Sequence, residues 1–97
     1  MPRGYLIGEI EVHDPGEYAR YTARTPEVIA RHGGRFIVRG GAWDSLEGDA
    51  PRGRVVVIEF PSLDAARAFY ASKEYAELIP VRRAASTGRF FLVEGTD

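Results

Sequence analysis

The sequence predicts a ferredoxin-like α+β domain, an expectation that rests on three observations. Period-two hydrophobic alternation recurs in four short segments, helix-start signals follow the first and third of them, and glycine or proline punctuates the junctions. The resulting order is strand, helix, strand, strand, helix, strand, the split βαβ pattern. Two right-handed crossovers then place both helices on one face of a four-stranded antiparallel sheet, with the first and third strands central. A length of 97 residues suits one unit, so residues 1–97 are read as a single domain.

Tyr5 to Val12 is the first strand, with Leu6, Gly8, Ile10 and Val12 on one face and Tyr5, Ile7, Glu9 and Glu11 on the other. Asp14 as N-cap, Pro15 at the first helical position and Glu17 three residues after the cap start a helix. Tyr18, Tyr21, Val28 and Ile29 keep roughly helical spacing, while Pro26 predicts a kink or break near Thr25. His32-Gly33-Gly34 ends the helix. Arg35 to Arg39 alternates again, Phe36 and Val38 opposite Arg35, Ile37 and Arg39. Gly40 to Gly53 holds four glycines and reads as a long loop of the kind that carries binding work. Arg54 to Phe60 is the third strand. Ser62 caps a second helix with Ala66, Phe69 and Tyr70 inward, and Ser72 caps a further turn holding Tyr75, Leu78 and Ile79, which Pro80 stops or bends. Thr87 to Glu94 is the fourth strand, Phe90 and Leu92 opposite Arg89, Phe91 and Val93.

Composition narrows the function. Thirteen basic against fourteen acidic side chains give a net charge of −1, without the electrostatic footprint of a nucleic-acid or anionic-membrane binder. The absence of cysteine excludes disulfides, thiolate metal sites and a thiol nucleophile. Two histidines far apart predict no metal site, and Gly33-Gly34 and Gly40-Gly41 lack the spacing and lysine of a phosphate loop. No cofactor is implied. Met1-Pro2-Arg3-Gly4 leads into a strand without an apolar leader, so the cytoplasm is the expected location.

With both helices on one side, the other face of the sheet carries Ile7, Ile37, Val55, Val57, Phe91 and Val93. A soluble monomer rarely leaves such a patch wet, and a homodimer packed face to face is the economical solution. The same alternation places Glu9, Arg39 and Glu59 on that face. Their convergence has two readings: a polar pocket in which Arg39 holds an anionic or carbonyl group and Glu59 or Glu9 acts as a base, or an ion-pair network that sets the dimer's register.

His32-Gly33-Gly34-Arg35-Phe36-Ile37-Val38-Arg39-Gly40-Gly41, Leu46-Glu47-Gly48, Val57-Ile58-Glu59-Phe60-Pro61-Ser62 and Ser72-Lys73-Glu74-Tyr75 resemble the small bacterial proteins of the DUF1330 family. That family's fold belongs to the dimeric α/β-barrel superfamily. The resemblance spans nearly the whole chain and implies a ferredoxin-like protomer and a face-to-face homodimer, but no reaction. It draws attention to Tyr21, His32, Arg39, Glu47, Glu59, Ser72, Tyr75 and Arg82.

The expected function is therefore the binding of a small metabolite in a pocket at the dimeric sheet face. Glu59, Arg39 and His32 are the candidate chemical groups, with Tyr21, Trp43, Glu9, Ser72 and Tyr75 as binding residues. The alternative is a cofactor-independent enzyme, monooxygenase- or isomerase-like, with Glu59 or His32 moving a proton and Arg39 stabilising negative charge. Each residue also has a plainer role: His32 and Ser72 as helix caps, the tyrosines as core, and Trp43 as loop packing.

Overall fold

The computed structural model describes all 97 residues. In chain order the elements are β1 (Gly4–Val12), α1 (Pro15–Arg31), β2 (Arg35–Arg39), β3 (Arg54–Phe60), α2 (Leu63–Tyr70), α3 (Lys73–Ala85) and β4 (Ser86–Glu94). The sheet is antiparallel in the order β2-β3-β1-β4, so β1 and β3 are central as the alternation predicts. The second helical region is two helices, divided where Ser72 makes a new cap by accepting from the Tyr75 amide.

Burial follows the two periodicities. Leu6 and Ile10 of β1 and Val56, Ile58 and Phe60 of β3 point at the helices, where they meet Tyr18, Val28 and Ile29 of α1 and Phe69, Tyr75 and Leu78 of the other two. Asp14 caps α1 by accepting from the Glu17 amide, and Gly33, at φ 77°, ends it in the left-handed turn that a side chain disfavours. The molecule is a slab of 36 × 35 × 16 Å, two layers thick, with nothing stacked on the far face of the sheet.

Three local expectations are corrected. α1 runs unbroken through Pro26, and α3 continues past Pro80 to Ala85, because packing on the sheet outweighs the one backbone bond each proline removes. The third correction matters most for function. β2 carries a bulge between Phe36 and Val38: Phe36 pairs with Ile58, Val38 with Val57 and Arg39 with Val56. Ile37 is the extra residue, so the alternation inverts after it. Val38, expected in the core, lies on the open face at 39% exposure. Arg39, expected on the open face, is turned to the helix side.

Candidate functional site

The bulge dissolves the expected convergence of charges. Glu9 and Glu59 do share the open face, but Glu59 pairs with Tyr5 and Glu9 with Val55, four ladder positions apart on β1. That is about 13 Å along the strand. Each carboxylate is held by cross-strand neighbours of its own chain. Arg89 Nη2 lies 2.8 Å from Glu9 Oε2, and Glu59 takes Arg35 Nη2 at 3.1 Å, Arg3 Nη1 at 3.6 Å and the Tyr5 hydroxyl at 3.2 Å. Burial works to raise the Glu59 pKa, but the hydrogen bonds from Arg35 and Tyr5 and the charge of Arg3 outweigh it and hold the carboxyl below its ordinary value. A carboxylate so stabilised is a weaker base than a free one. Glu9 also borders the largest hollow of the surface, an open cleft of about 420 Å³ with Glu11, Asp49, Arg52 and Arg89, where Glu9 is already held by Arg89.

Unmatched groups gather instead between the helices and the sheet. Tyr18 and Tyr21 of α1, Tyr75 of α3, Arg39 of β2 and Arg54 of β3 border an interior cavity with apolar walls that include Phe36, Phe69 and Phe90. The cavity measures about 20 Å³, room for roughly one water molecule. Beside it, Arg82 of α3 is 5% exposed, stacks 4.2 Å over the Phe90 ring and donates from Nη1 to the Tyr75 hydroxyl at 2.7 Å. The Tyr75 and Tyr21 hydroxyls are themselves 2.7 Å apart. Burial raises both phenol pKa values, although at Tyr75 the contacts with Tyr21 and Arg82 pull the other way. Both tyrosines are therefore neutral near pH 7.

The donor count decides what this arrangement can do. A guanidinium only donates, so the Tyr75 oxygen accepts from Arg82. The two phenols bring two protons, and the bond between them uses one. One hydroxyl donor remains uncommitted. The Arg54 Nε is buried without any partner, and the chain's seven ion pairs include none of Arg39, Arg54 and Arg82. No Asp or Glu lines the cavity. An interior rich in donors and poor in acceptors is suited to an oxygen-bearing, electron-rich guest.

Pro26 contributes to this geometry. Having no amide hydrogen, it frees the Thr22 carbonyl from the bond that α1 would otherwise make, and Arg39 Nη2 approaches that oxygen at 3.5 Å while its guanidinium covers the Phe36 ring at 4.3 Å. The helix-breaking residue thus provides an anchor for the cation at the cavity's mouth.

Of the expected site residues, Arg39, Tyr21 and Tyr75 come together. His32 is the C-cap of α1 with its ring 5.9 Å from Phe69, Ser72 is the N-cap of α3, and the Trp43 indole donates to the Gly53 carbonyl at 3.1 Å, tying the two ends of the long loop. These three lie outside the cavity lining, as do Glu9 and Glu59. Arg54 is the residue that sequence reasoning missed. Its place in phase with the inward Val56, Ile58 and Phe60 was the available signal.

Fold and site together define a class: a two-layer ferredoxin-like α+β protomer with a bare apolar sheet face and a donor-lined interior. The chain belongs to the DUF1330 family, a domain of unknown function, whose family model matches residues 3–96. The fold is shared with RPA0582 of Rhodopseudomonas palustris, a protein of unknown function, at TM-score 0.78 and 21% identity over 99% of this chain and 84% of that one. It is shared also with SnoaB of Streptomyces nogalater, a cofactor-independent oxygenase, at TM-score 0.73 and 23% identity over 100% of this chain and 96% of that one. No curated protein matches the sequence significantly. No helix is long and apolar enough to cross a membrane.

Proposed function

We propose that the protein is a homodimer, joined through its open sheet faces, that binds a small metabolite in the interior of each protomer between sheet and helices. The observation that carries the binding site is the cavity's surplus of donors: Arg54 Nε is buried without a partner and no carboxylate lines the cavity, while Arg82, outside the lining, reaches it through the Tyr75 hydroxyl and is a buried cation bonded to a phenol and not a carboxylate. A buried charge with no opposite charge destabilises a fold through desolvation, and such groups persist where function retains them. The interior is favoured over the sheet face because Arg39 faces inward and the glutamates are already paired.

The test is a metabolite-library binding screen on the native chain and on Arg82→Met. Methionine matches the apolar stem and removes the charge, so the variant should melt at or above the native temperature and lose the ligands that the native chain binds. A variant that melts lower yet keeps those ligands would assign Arg82 to the structure alone.

A second reading, cofactor-independent catalysis, has one specific support besides the shared fold with SnoaB. Burial keeps the Tyr75 hydroxyl neutral although Arg82 pulls its pKa down, and in this reading Tyr75, bonded to Arg82 and Tyr21, gives a proton to a bound compound and takes it back. In this reading Tyr75 replaces Glu59 and His32, neither of which reaches the cavity. Turnover of any bound compound by the native chain, lost in Tyr75→Phe with binding kept, is the expected result; binding without turnover throughout the library would leave the protein a binder.

A further inference from the structure

Arg54 opens β3, and the alternation that buries Val56 and Ile58 directs its side chain inward to the cavity. The chain turn after β2 closes over it. Gly40 has φ 73°, its amide donates to the Val55 carbonyl at 2.9 Å, and a Cβ on it would stand 3.0 Å from Arg54 Nη2 and 3.1 Å from Nε. The centre of the Tyr18 ring lies 5.8 Å from the guanidinium carbon. The Arg54 Nε is a buried donor without an acceptor. Leaving such a group unmet is costly, most of all when it carries charge. Its counterpart is therefore expected to enter from the cavity, where Arg39 stands at the mouth.

A guanidinium edge presents parallel N–H groups in a plane, the shape a carboxylate accepts in two bonds. The remaining walls are largely apolar and aromatic, which suits a hydrocarbon body behind a single charged head. Resting on the reading of this interior as the binding site, we propose that Arg54 and Arg39 form a carboxylate clamp, and that the ligands are small organic acids selected over their neutral analogues. Because the cavity holds only about one water molecule, such an acid enters only as α1 and the sheet part, with Arg39 leaving Thr22 for the carboxylate.

The experiment uses the full chain in a low-chloride buffer and follows backbone amides together with the Arg54 Nε–Hε resonance, assigned by its loss in Arg54→Gln. Acetate and benzoate are titrated against acetamide and benzamide, with inorganic phosphate in a separate arm. An acid should shift the Arg54 signal and bind about tenfold more tightly than its amide, or better. Arg54→Gln should abolish that preference. Equal binding of acid and amide would overturn the clamp while leaving the interior site intact. Phosphate binding more tightly than either acid would overturn the organic-acid class, and no shift at any cavity residue would overturn clamp and site together.

Discussion

At the scale of single residues, the neighbours decide what a charged side chain does. Glu59 sits among Arg35, Arg3 and Tyr5 and is held ionised, whereas Arg82 sits among Tyr75 and Phe90 without a counter-charge. The Glu59 arrangement has a pH signature. Its folded-state pKa lies below the unfolded value, so its contribution to stability is present above the ordinary glutamate pKa and is lost as pH falls through the folded one. Native protein should therefore lose stability from about pH 4.3 downward more steeply than Glu59→Gln, which has nothing to lose in that window. Denaturant midpoints measured between about pH 3 and 7 check this. Parallel curves for the two proteins would mean that the ion-pair cluster does not form.

At the scale of elements, period-two and helical patterning made the strands and caps legible. The ranges of β2 and β3 read from alternation agree with the structure, and Asp14, Ser62 and Ser72 cap the helices they were expected to cap. The bulge was not legible, because Phe36-Ile37-Val38-Arg39 alternates acceptably in either phase and only pairing with β3 fixes which residue is extra. That one residue decides the site: it moves Arg39 from the open face to the interior and puts Val38 in its place. Arg82 was obscured in a similar way. With the helix expected to stop or bend at Pro80, its position beyond the proline gave no reason to align it with Tyr75, although seven residues apart is two helical turns.

Pro26 links element to site and can be tested there. Pro26→Ala restores an amide that the Thr22 carbonyl can accept from, and it should raise stability by up to about 3 kcal/mol. It should also release Arg39 from its anchor, visible as greater mobility of the Arg39 Nε–Hε group in NMR relaxation. Unchanged Arg39 dynamics would show that the carbonyl contact does not hold the guanidinium.

At the scale of the whole molecule, the sheet's free side is the feature that patterning identified and the structure retains. Ile37, Val38, Phe91 and Val93 are 45%, 39%, 48% and 44% exposed, and they join Ile7, Val55 and Val57 in one apolar face with nothing from the chain above it. Full burial of a large apolar side chain is worth about 1.5–3 kcal/mol, so covering part of each of these yields several kcal/mol in total. In the proposed homodimer a second copy supplies the matching surface, since a twofold contact pairs a patch with itself. Val57→Asp places an unpaired charge at the centre of that contact and should give a monomer that melts lower than the native protein.

Sedimentation equilibrium of the native chain measures this most directly. A mass of twice the 10.8 kDa protomer at micromolar concentration, falling to one protomer in Val57→Asp, is the predicted result. A stable native species of 10.8 kDa that keeps the apolar face in water would contradict it.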